Sequence, residues 1–225
     1  MSWSIPPAKK VVIFGRPGSG KSSLAERLGA EHGFVAIRTG ELLREAVRRG
    51  DELGARVEQA LKAGQCVPDP LIGALIERSL EDAGTARILF DGFPRTMGQV
   101  SILEALECSR RFRVDRYLEI AVGRDAAIAG VTGRRFCPVC GAMYHHADQL
   151  PRVADLCDHD GARLERRRDD APGVIEVRQR LYDEHAPPIL EHYRTHAPER
   201  YHAIHGEWPF DAVYDQACRA LGLKT

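Results

Sequence analysis

The stretch VVIFGRPGSGKS, from Val11 to Ser22, decides the fold of this chain. Its last eight residues match the pattern G-x-x-x-x-G-K-[ST], and the apolar run before them is typical of a buried strand. The spacing of apolar residues in SSLAERLGAEHG, which begins at Ser22, predicts a helix directly after the loop. Glycines at these positions let backbone N–H groups point at phosphate oxygens, and the helix dipole adds to the attraction. The sequence therefore predicts a nucleoside triphosphate site made of Gly15, Arg16, Pro17, Gly18, Ser19, Gly20, Lys21, Ser22 and Ser23.

Short runs rich in β-formers alternate with helical patterns along the rest of the chain. Several of these runs are apolar along their whole length, which is typical of a parallel sheet covered on both faces. The alternation predicts an α/β fold with a doubly wound, five-stranded parallel sheet and flanking helices. The five predicted strands are VVIFG at 11–15, FVAIR at 34–38, ILFDG at 88–92, YLEIAV at 117–122 and YHAIHG at 201–206.

Two segments interrupt this alternation. Residues 39–67 have the pattern of two helices with no strand between them, and residues 136–170 are polar and rich in Cys, His, Asp and Arg. Both are predicted to lie at the carboxyl edge of the sheet, where folds of this kind bind their ligands.

The composition excludes several classes of protein. Lys plus Arg and Asp plus Glu both number 32 among 225 residues. Without an excess of positive charge, a general role in nucleic-acid binding is not expected. The N-terminus lacks the apolar segment of a secretion signal, and no run of 18 apolar residues occurs. We therefore expect no membrane span and a cytoplasmic location.

Three of the six cysteines are clustered. CPVCG at 137–141 is followed by CDHDG at 157–161, in which Asp160 stands where a fourth cysteine would complete the pattern. In a reducing compartment such a cluster indicates metal binding more than a disulfide framework. The residues alone leave a metal site and a redox pair as alternatives, and they leave His159 as a competitor of Asp160 for the fourth ligand position.

Two further motifs follow the phosphate-binding loop, RTGELLR at 38–44 and DGFPRTMGQ at 91–99. Together with GRPGSGKS they resemble the adenylate kinase family of nucleoside monophosphate kinases, in its long form with an extended lid. The similarity runs from about Lys10 to Leu221. It implies the P-loop kinase fold, with a core at 1–38, 68–133 and 171–225, a helical AMP-binding insertion at 39–67 and a lid at 134–170.

The resemblance implies reversible, Mg²⁺-dependent phosphoryl transfer from ATP to AMP, giving two ADP, by a monomeric enzyme. Such a transfer brings two polyphosphates together, so the site needs cations and must exclude water. Guanidinium groups suit this role because they clamp phosphate oxygens bidentately. The catalytic residues implied are Lys21, Asp91, Arg95, Arg134, Arg167 and Arg180. Arg134 and the backbone at Trp208 are also implied to bind ATP. The AMP-binding residues implied are Thr39, Arg44, Gln65, Val67, Gly92, Arg95, Gln99, Arg167 and Arg180.

The base of the acceptor depends on two of these residues. In this family, threonine at position 39 and glutamine at position 99 accompany adenine, whereas relatives that act on pyrimidine monophosphates tend to have alanine and asparagine. An amide can meet the Watson–Crick edge of adenine with one donor and one acceptor, as Gln99 could. AMP is therefore the expected acceptor. UMP, CMP or GMP as acceptor, or a non-catalytic ATP-binding regulator, are the alternatives.

The lid of long-form adenylate kinases often carries a C-x₂-C-x₁₆-C-x₂-[CD] site, and this sequence has that spacing. The resemblance implies a Zn²⁺ ion held by Cys137, Cys140, Cys157 and Asp160. Four protein ligands leave no open position for a catalytic water, so such a zinc is structural.

The chain departs from the family pattern at three places. Gly130 stands where family members usually have an arginine that packs on the donor adenine. The spacer APGVIE, between RRRDD and VRQRL, is two residues longer than usual. Arg16 replaces a small residue of the phosphate-binding loop.

Overall fold

The computed structural model describes residues 6–62, 67–84, 86–109, 112–145, 150–166 and 170–224. A five-stranded parallel sheet forms its centre, in the order β2-β3-β1-β4-β7. The prediction of an α/β fold with this sheet is confirmed. The strands are β1 (Lys10–Gly15), β2 (Phe34–Arg38), β3 (Arg87–Asp91), β4 (Arg116–Ala121) and β7 (Tyr201–His205).

Helices connect these strands and cover both faces of the sheet. Their bounds are α1 (Lys21–His32), α2 (Thr39–Arg49), α3 (Glu52–Lys62), α4 (Asp69–Ala83), α5 (Met97–Ser109), α6 (Arg124–Thr132), α7 (Pro172–His196) and α8 (Phe210–Leu221). One face packs against α4, α5 and α7 around Phe90 and Tyr117, and the other packs against α1 and α8 around Leu24 and Tyr214. The sheet is buried on both faces because its strands are apolar along their length.

The order of the strands places the phosphate-binding loop at the centre of the sheet edge. β1 pairs with β3 on one side and with β4 on the other, so the strands that follow β1 in the chain lie on both sides of it. Such a switch point opens a crevice at the carboxyl ends of the strands. The loop after β1, the end of β3 at Asp91 and the end of β2 at Arg38 all lie at this edge.

Two smaller units stand beside the sheet. α2 and α3 pack with α4 around Ala46, Val57 and Leu75, without a strand between them in the part of 39–62 that is described. The lid segment contains a two-stranded antiparallel sheet of β5 (Arg134–Phe136) and β6 (Met143–His145). Among the described residues, no helix has the length and apolar character that a membrane span requires.

Candidate active site

The loop between β1 and α1 forms a cradle of backbone N–H groups. Gly18 and Gly20 adopt φ angles of 94° and 84°, a conformation that favours glycine. α1 begins at Lys21 with Gly20 as its N-cap, with no side-chain cap and no acidic residue in its first turn. The first N–H groups of α1 and the positive end of its dipole are therefore oriented to bind an anion.

Lys21 is half-buried, and its ammonium lies inside this loop. Its Nζ donates to the carbonyl oxygens of Gly15 at 2.6 Å and Arg16 at 2.7 Å. Burial lowers the pKa of Lys21 to about 8, while Asp91 opposes the shift and nearby guanidinium groups, Arg95 first among them, add to it. A desolvated ammonium held by two carbonyls is well placed to meet the phosphates of a triphosphate.

Asp91 ends β3 next to the loop and is 8% exposed. Its Oδ2 accepts a hydrogen bond of 2.8 Å from the Ser22 hydroxyl. Arg38, its partner on the neighbouring strand β2, has its Nε 3.9 Å from the same oxygen. A carboxylate and a hydroxyl beside a phosphate cradle are the hard oxygen donors that Mg²⁺ prefers. These residues therefore fit a magnesium ion carried with the nucleotide.

Guanidinium groups approach the loop from three elements. Arg95 is an exposed residue, but desolvation around its guanidinium lowers its pKa, and its Nε donates to the Gly92 carbonyl at 2.7 Å. Arg134, at the start of β5, donates two hydrogen bonds to the Asp170 carboxylate, at 3.0 and 2.5 Å. Arg178 of α7 lies 3.7 Å from the same carboxylate, which is only 3% exposed. Asp170 therefore binds two of the arginines that face the phosphate site.

The structure does not bring Arg180 to this site. Its side chain is exposed on α7, whereas Arg178, two residues earlier, is half-buried and close enough to Lys21 and Arg95 to affect their pKa values. Two residues on a helix are separated by about 200°, so the two side chains point in opposite directions. Arg178 is the arginine of VRQRL that faces the loop.

Residues predicted for the acceptor nucleotide lie between β3, α4 and α5. Thr39 is buried and donates to the Gly92 carbonyl at 2.8 Å. Gln99 is 6% exposed, its Oε1 accepts from the Arg95 amide, and its Nε2 donates to Asp69, both at 2.8 Å. Each end of the amide keeps one further hydrogen-bonding position, so Gln99 can still meet a base with one donor and one acceptor.

Other predicted site residues are less involved in the described contacts. Arg44 is exposed on α2, and Val67 is half-buried where α2 and α4 meet. Trp208 is exposed and its ring stacks on His205 at 5.4 Å between centroids. The predicted residues Gln65 and Arg167 lie outside the described part of the chain.

The predicted metal ligands converge in the lid. The ligand atoms of Cys137, Cys140, Cys157 and Asp160 lie within 4.8 Å of one another. The Cys140 and Cys157 sulfurs are 3.5 Å apart, and the Asp160 carboxylate lies 3.2 Å from the Cys137 sulfur. Several hydrogen bonds lower the pKa of Asp160 to about 2, and the one from the Ala162 amide has the largest effect. Three sulfurs and an ionised carboxylate at this spacing are a donor set that fits tetrahedral zinc.

The two halves of this cluster have the same backbone geometry. In the first, the Gly141 amide donates to the Cys137 carbonyl, and in the second the Gly161 amide donates to the Cys157 carbonyl. Gly141 and Gly161 have φ angles of 78° and 70°. Asp160 therefore occupies the position in its turn that Cys140 occupies in the first. The competing residue His159 is exposed and is not part of the cluster.

Gly130 allows α6 to pack directly on the phosphate-binding loop. A Cβ atom at Gly130 would lie 2.3 Å from the Gly18 carbonyl oxygen, and one at Gly18 would lie 1.9 Å from the Ala127 carbonyl oxygen. Real Cβ atoms essentially never come this close to another heavy atom. The arginine that is usual in the family at this position would not fit this arrangement.

Two residues at the site, Asp69 and Gln179, carry no pattern in the sequence that predicts their position there. Asp69 accepts hydrogen bonds from both Thr96 and Gln99, although it precedes them by 27 and 30 residues. Gln179 is fully buried and donates to the Pro17 carbonyl of the loop. Asp69 follows directly after Pro68 at the first turn of α4, and this N-terminal position is the only local signal that it carries.

The cradle and the guanidinium groups around it define one class of protein, the P-loop phosphotransferases. Comparison with known proteins identifies the family. A family model described as adenylate kinase matches residues 13–198. The chain is 35% identical over 214 residues to the adenylate kinase of Sphingopyxis alaskensis, covering 94% of this chain and 97% of the relative. It is 36% identical over 206 residues to that of Pyrococcus furiosus, covering 92% of each.

A third relative, the adenylate kinase of a Hydrogenobaculum species, is 39% identical over 184 residues, which are 82% of this chain and 87% of the relative. The chain belongs to the adenylate kinase family. It is a nucleoside monophosphate kinase.

Proposed function

We propose that this protein catalyses the reversible, Mg²⁺-dependent transfer of a phosphoryl group between ATP and AMP, giving two ADP. The observation that carries the proposal is the arrangement around Lys21, whose ammonium is held in the loop and lies close enough to the Asp91 carboxylate and the Arg95 guanidinium for both to affect its pKa. Membership of the family and the names of the relatives support the same reaction.

The donor nucleotide binds the loop through its phosphates. The N–H groups at the start of α1 and the Lys21 ammonium contact the phosphate oxygens. Asp91 and Ser22 would hold a magnesium ion, which would offset the negative charge of the phosphates. No covalent enzyme intermediate is needed, because the phosphate of AMP is itself the nucleophile.

The acceptor binds between the helical insertion at 39–67 and the DGFPR segment. We assign its phosphate to Arg44 and Arg95, and its base to Gln99 with Thr39 beside it. Gln99 is buried rather than on a helix surface, and its amide is oriented by Asp69 and by the Arg95 amide. An oriented amide with one free donor and one free acceptor supports adenine as the base.

The arginines of the lid complete the site. Arg134 and Arg178 contact the Asp170 carboxylate. We propose that they leave this carboxylate and bind the phosphoryl group when both nucleotides are bound and the lid at 134–170 closes. Closure would also exclude water from the transferring group. Arg167, outside the described residues, is proposed for the same set.

The metal of the lid is proposed to be a structural Zn²⁺ bound by Cys137, Cys140, Cys157 and Asp160. Its role is to supply folding energy to a segment whose own core contains few residues. We also propose a cytoplasmic location, where clustered cysteines stay reduced and available to a metal. We further propose that the enzyme is a monomer, which light scattering on the purified protein would test.

The experiment is an assay of ADP production from ATP, AMP and Mg²⁺. We expect turnover with AMP, and much slower turnover when UMP, CMP or GMP replaces it. Equal rates with all four acceptors would refute the acceptor assignment. ATP binding without turnover would favour a non-catalytic regulator.

A paired variant makes the acceptor test sharper. Thr39→Ala combined with Gln99→Asn removes the two residues proposed to select adenine. It should lower kcat/KM for AMP relative to that for UMP and CMP, while KM for ATP stays the same. An unchanged preference for AMP would show that the selection lies elsewhere.

A further inference from the structure

The side chain of Arg16 leaves the phosphate cradle and reaches α7. Its Nη2 lies 2.5 Å from Oδ1 of Asp183, and its Nη1 donates to Oε1 of Gln179 at 3.4 Å. Its guanidinium carbon also lies 4.8 Å from the centre of the Tyr182 ring, within the range of a cation–π contact. Three side chains of one helix therefore hold the guanidinium of a residue inside the loop.

A second contact joins the same parts of the protein. Gln179 is fully buried and its Nε2 donates to the Pro17 carbonyl at 2.8 Å. Gln179, Tyr182 and Asp183 are spaced i, i+3 and i+4 and so share one face of α7. Residues 16 and 17 are thus attached to this face both by a side chain and by a backbone carbonyl.

The backbone of Arg16 has a direct part in placing Lys21. The Arg16 carbonyl oxygen accepts a hydrogen bond of 2.7 Å from Lys21 Nζ, and the Gly15 carbonyl accepts one of 2.6 Å. The position of the ammonium therefore depends on how the first turn of the loop is held. The contacts of Arg16 with α7 hold that turn.

The same turns of α7 also contact the base of the lid. Arg178, next to Gln179, lies 3.7 Å from Asp170, which in turn binds Arg134. One segment of α7 therefore contacts both the loop that holds the donor phosphates and the carboxylate that holds the arginines of the lid.

We propose that Arg16 is a positioning residue for phosphoryl transfer, which anchors the loop to α7 so that Lys21 is already in place when the triphosphate binds. The inference rests on the proposed function. It gives Arg16 a role that a small residue at this position could not have, because a small side chain would not reach Asp183.

Steady-state kinetics of four variants test the proposal. Arg16→Ala should lower kcat/KM for ATP by about fivefold to tenfold, the combined effect of a partly exposed ion pair and a cation–π contact. The change should lie mainly in KM for ATP, because Arg16 belongs to the loop that binds ATP. KM for AMP should stay within about twofold, less than the full effect of one exposed ion pair. Asp183→Asn should act in the same direction, and Arg16→Lys, which keeps the ion pair, should recover most of the loss.

The fourth variant combines Arg16→Ala with Asp183→Asn. Because both changes break the same interaction, the double variant should lose no more than Arg16→Ala alone. The matched control is Asp211→Asn. Asp211 lies 2.5 Å from Arg27, whose guanidinium carbon is 3.9 Å from the Tyr214 ring centre, but this pair joins α1 to α8 away from the loop. It should leave both KM values unchanged.

The proposal is overturned if Asp183→Asn and Asp211→Asn have equal effects, if the effects of Arg16→Ala and Asp183→Asn add, or if KM for AMP changes as much as KM for ATP. A wild-type enzyme that makes ADP at the same time leaves the proposed function intact. A wild-type enzyme that makes none refutes the proposed function instead.

Discussion

Replacement of Asp170 by asparagine tests the arginine arrangement at the base of the lid. The Asp170 side chain is 3% exposed and that of Arg134 is 19% exposed. Removal of one partner from a buried ion pair costs about 3–5 kcal/mol. Because Arg134 keeps some exposure and asparagine keeps one acceptor oxygen, we expect Asp170→Asn to cost about 2 kcal/mol, below the fully buried range. For a chain of this length that corresponds to a decrease in Tm of about 4–8 °C.

The assay is thermal unfolding with and without a non-hydrolysable ATP analogue, with AMP present throughout. In the wild-type protein the analogue has to draw Arg134 and Arg178 away from a carboxylate of the chain, and in the variant it does not. The difference in Tm between the two proteins should therefore shrink when the analogue is saturating.

Asp211→Asn is the matched control for this measurement as well. It breaks an Arg–Asp pair with the same 2.5 Å separation, but Asp211 is 86% exposed. The expected cost is about 1 kcal/mol or less. The reasoning would be refuted by equal decreases in Tm for the two variants, or by a decrease for Asp170→Asn that the analogue does not change.

Three further predictions concern the loop, α6 and the lid. Desolvation lowers the pKa of Lys21 to about 8, and the triphosphate requires the charged ammonium. The value of kcat/KM for ATP should therefore fall as the pH rises through about 8. A fall that begins only near the usual lysine pKa of 10.5 would contradict the lowered pKa. Gly130→Ala places a Cβ atom 2.3 Å from the Gly18 oxygen and should raise KM for ATP several-fold, whereas Gly173→Ala, with open space around it, should not; equal kinetics would show that α6 does not pack on the loop during turnover. Elemental analysis after dialysis should find one zinc per chain in the wild type and in Asp160→Cys but less in Asp160→Ala, and full occupancy in the last variant would exclude Asp160 as a ligand.

Features with a local signal could be predicted from the sequence. The loop at 15–22 and the strands around it were predicted because glycine spacing and continuous apolar runs are properties of neighbouring residues. The cluster of three cysteines and Asp160 was predictable for the same reason, since each half is a short turn with its own glycine.

Features that depend on distant packing could not be read in this way. Arg178 and Arg180 differ only in which face of α7 they occupy, and that phase is set by how α7 packs against the sheet and the lid. The hydrogen bond from Gln99 to Asp69 spans 30 residues, and the bond from Gln179 to Pro17 spans 162. Neither leaves a pattern in the residues near it.

The odd number of sulfurs in the lid cluster limits what oxidation can do to it. The Cys140 and Cys157 sulfurs are 3.5 Å apart, and a disulfide needs about 2.05 Å, so a small movement would join them whenever no metal is bound. Cys137 would then keep its thiol, because the residue beside it is the Asp160 carboxylate rather than a fourth cysteine. With three sulfurs the cluster can form only one internal disulfide, so an oxidant that displaced the proposed zinc in this way would leave one thiol, and a reductant could restore the ligands by opening a single bond.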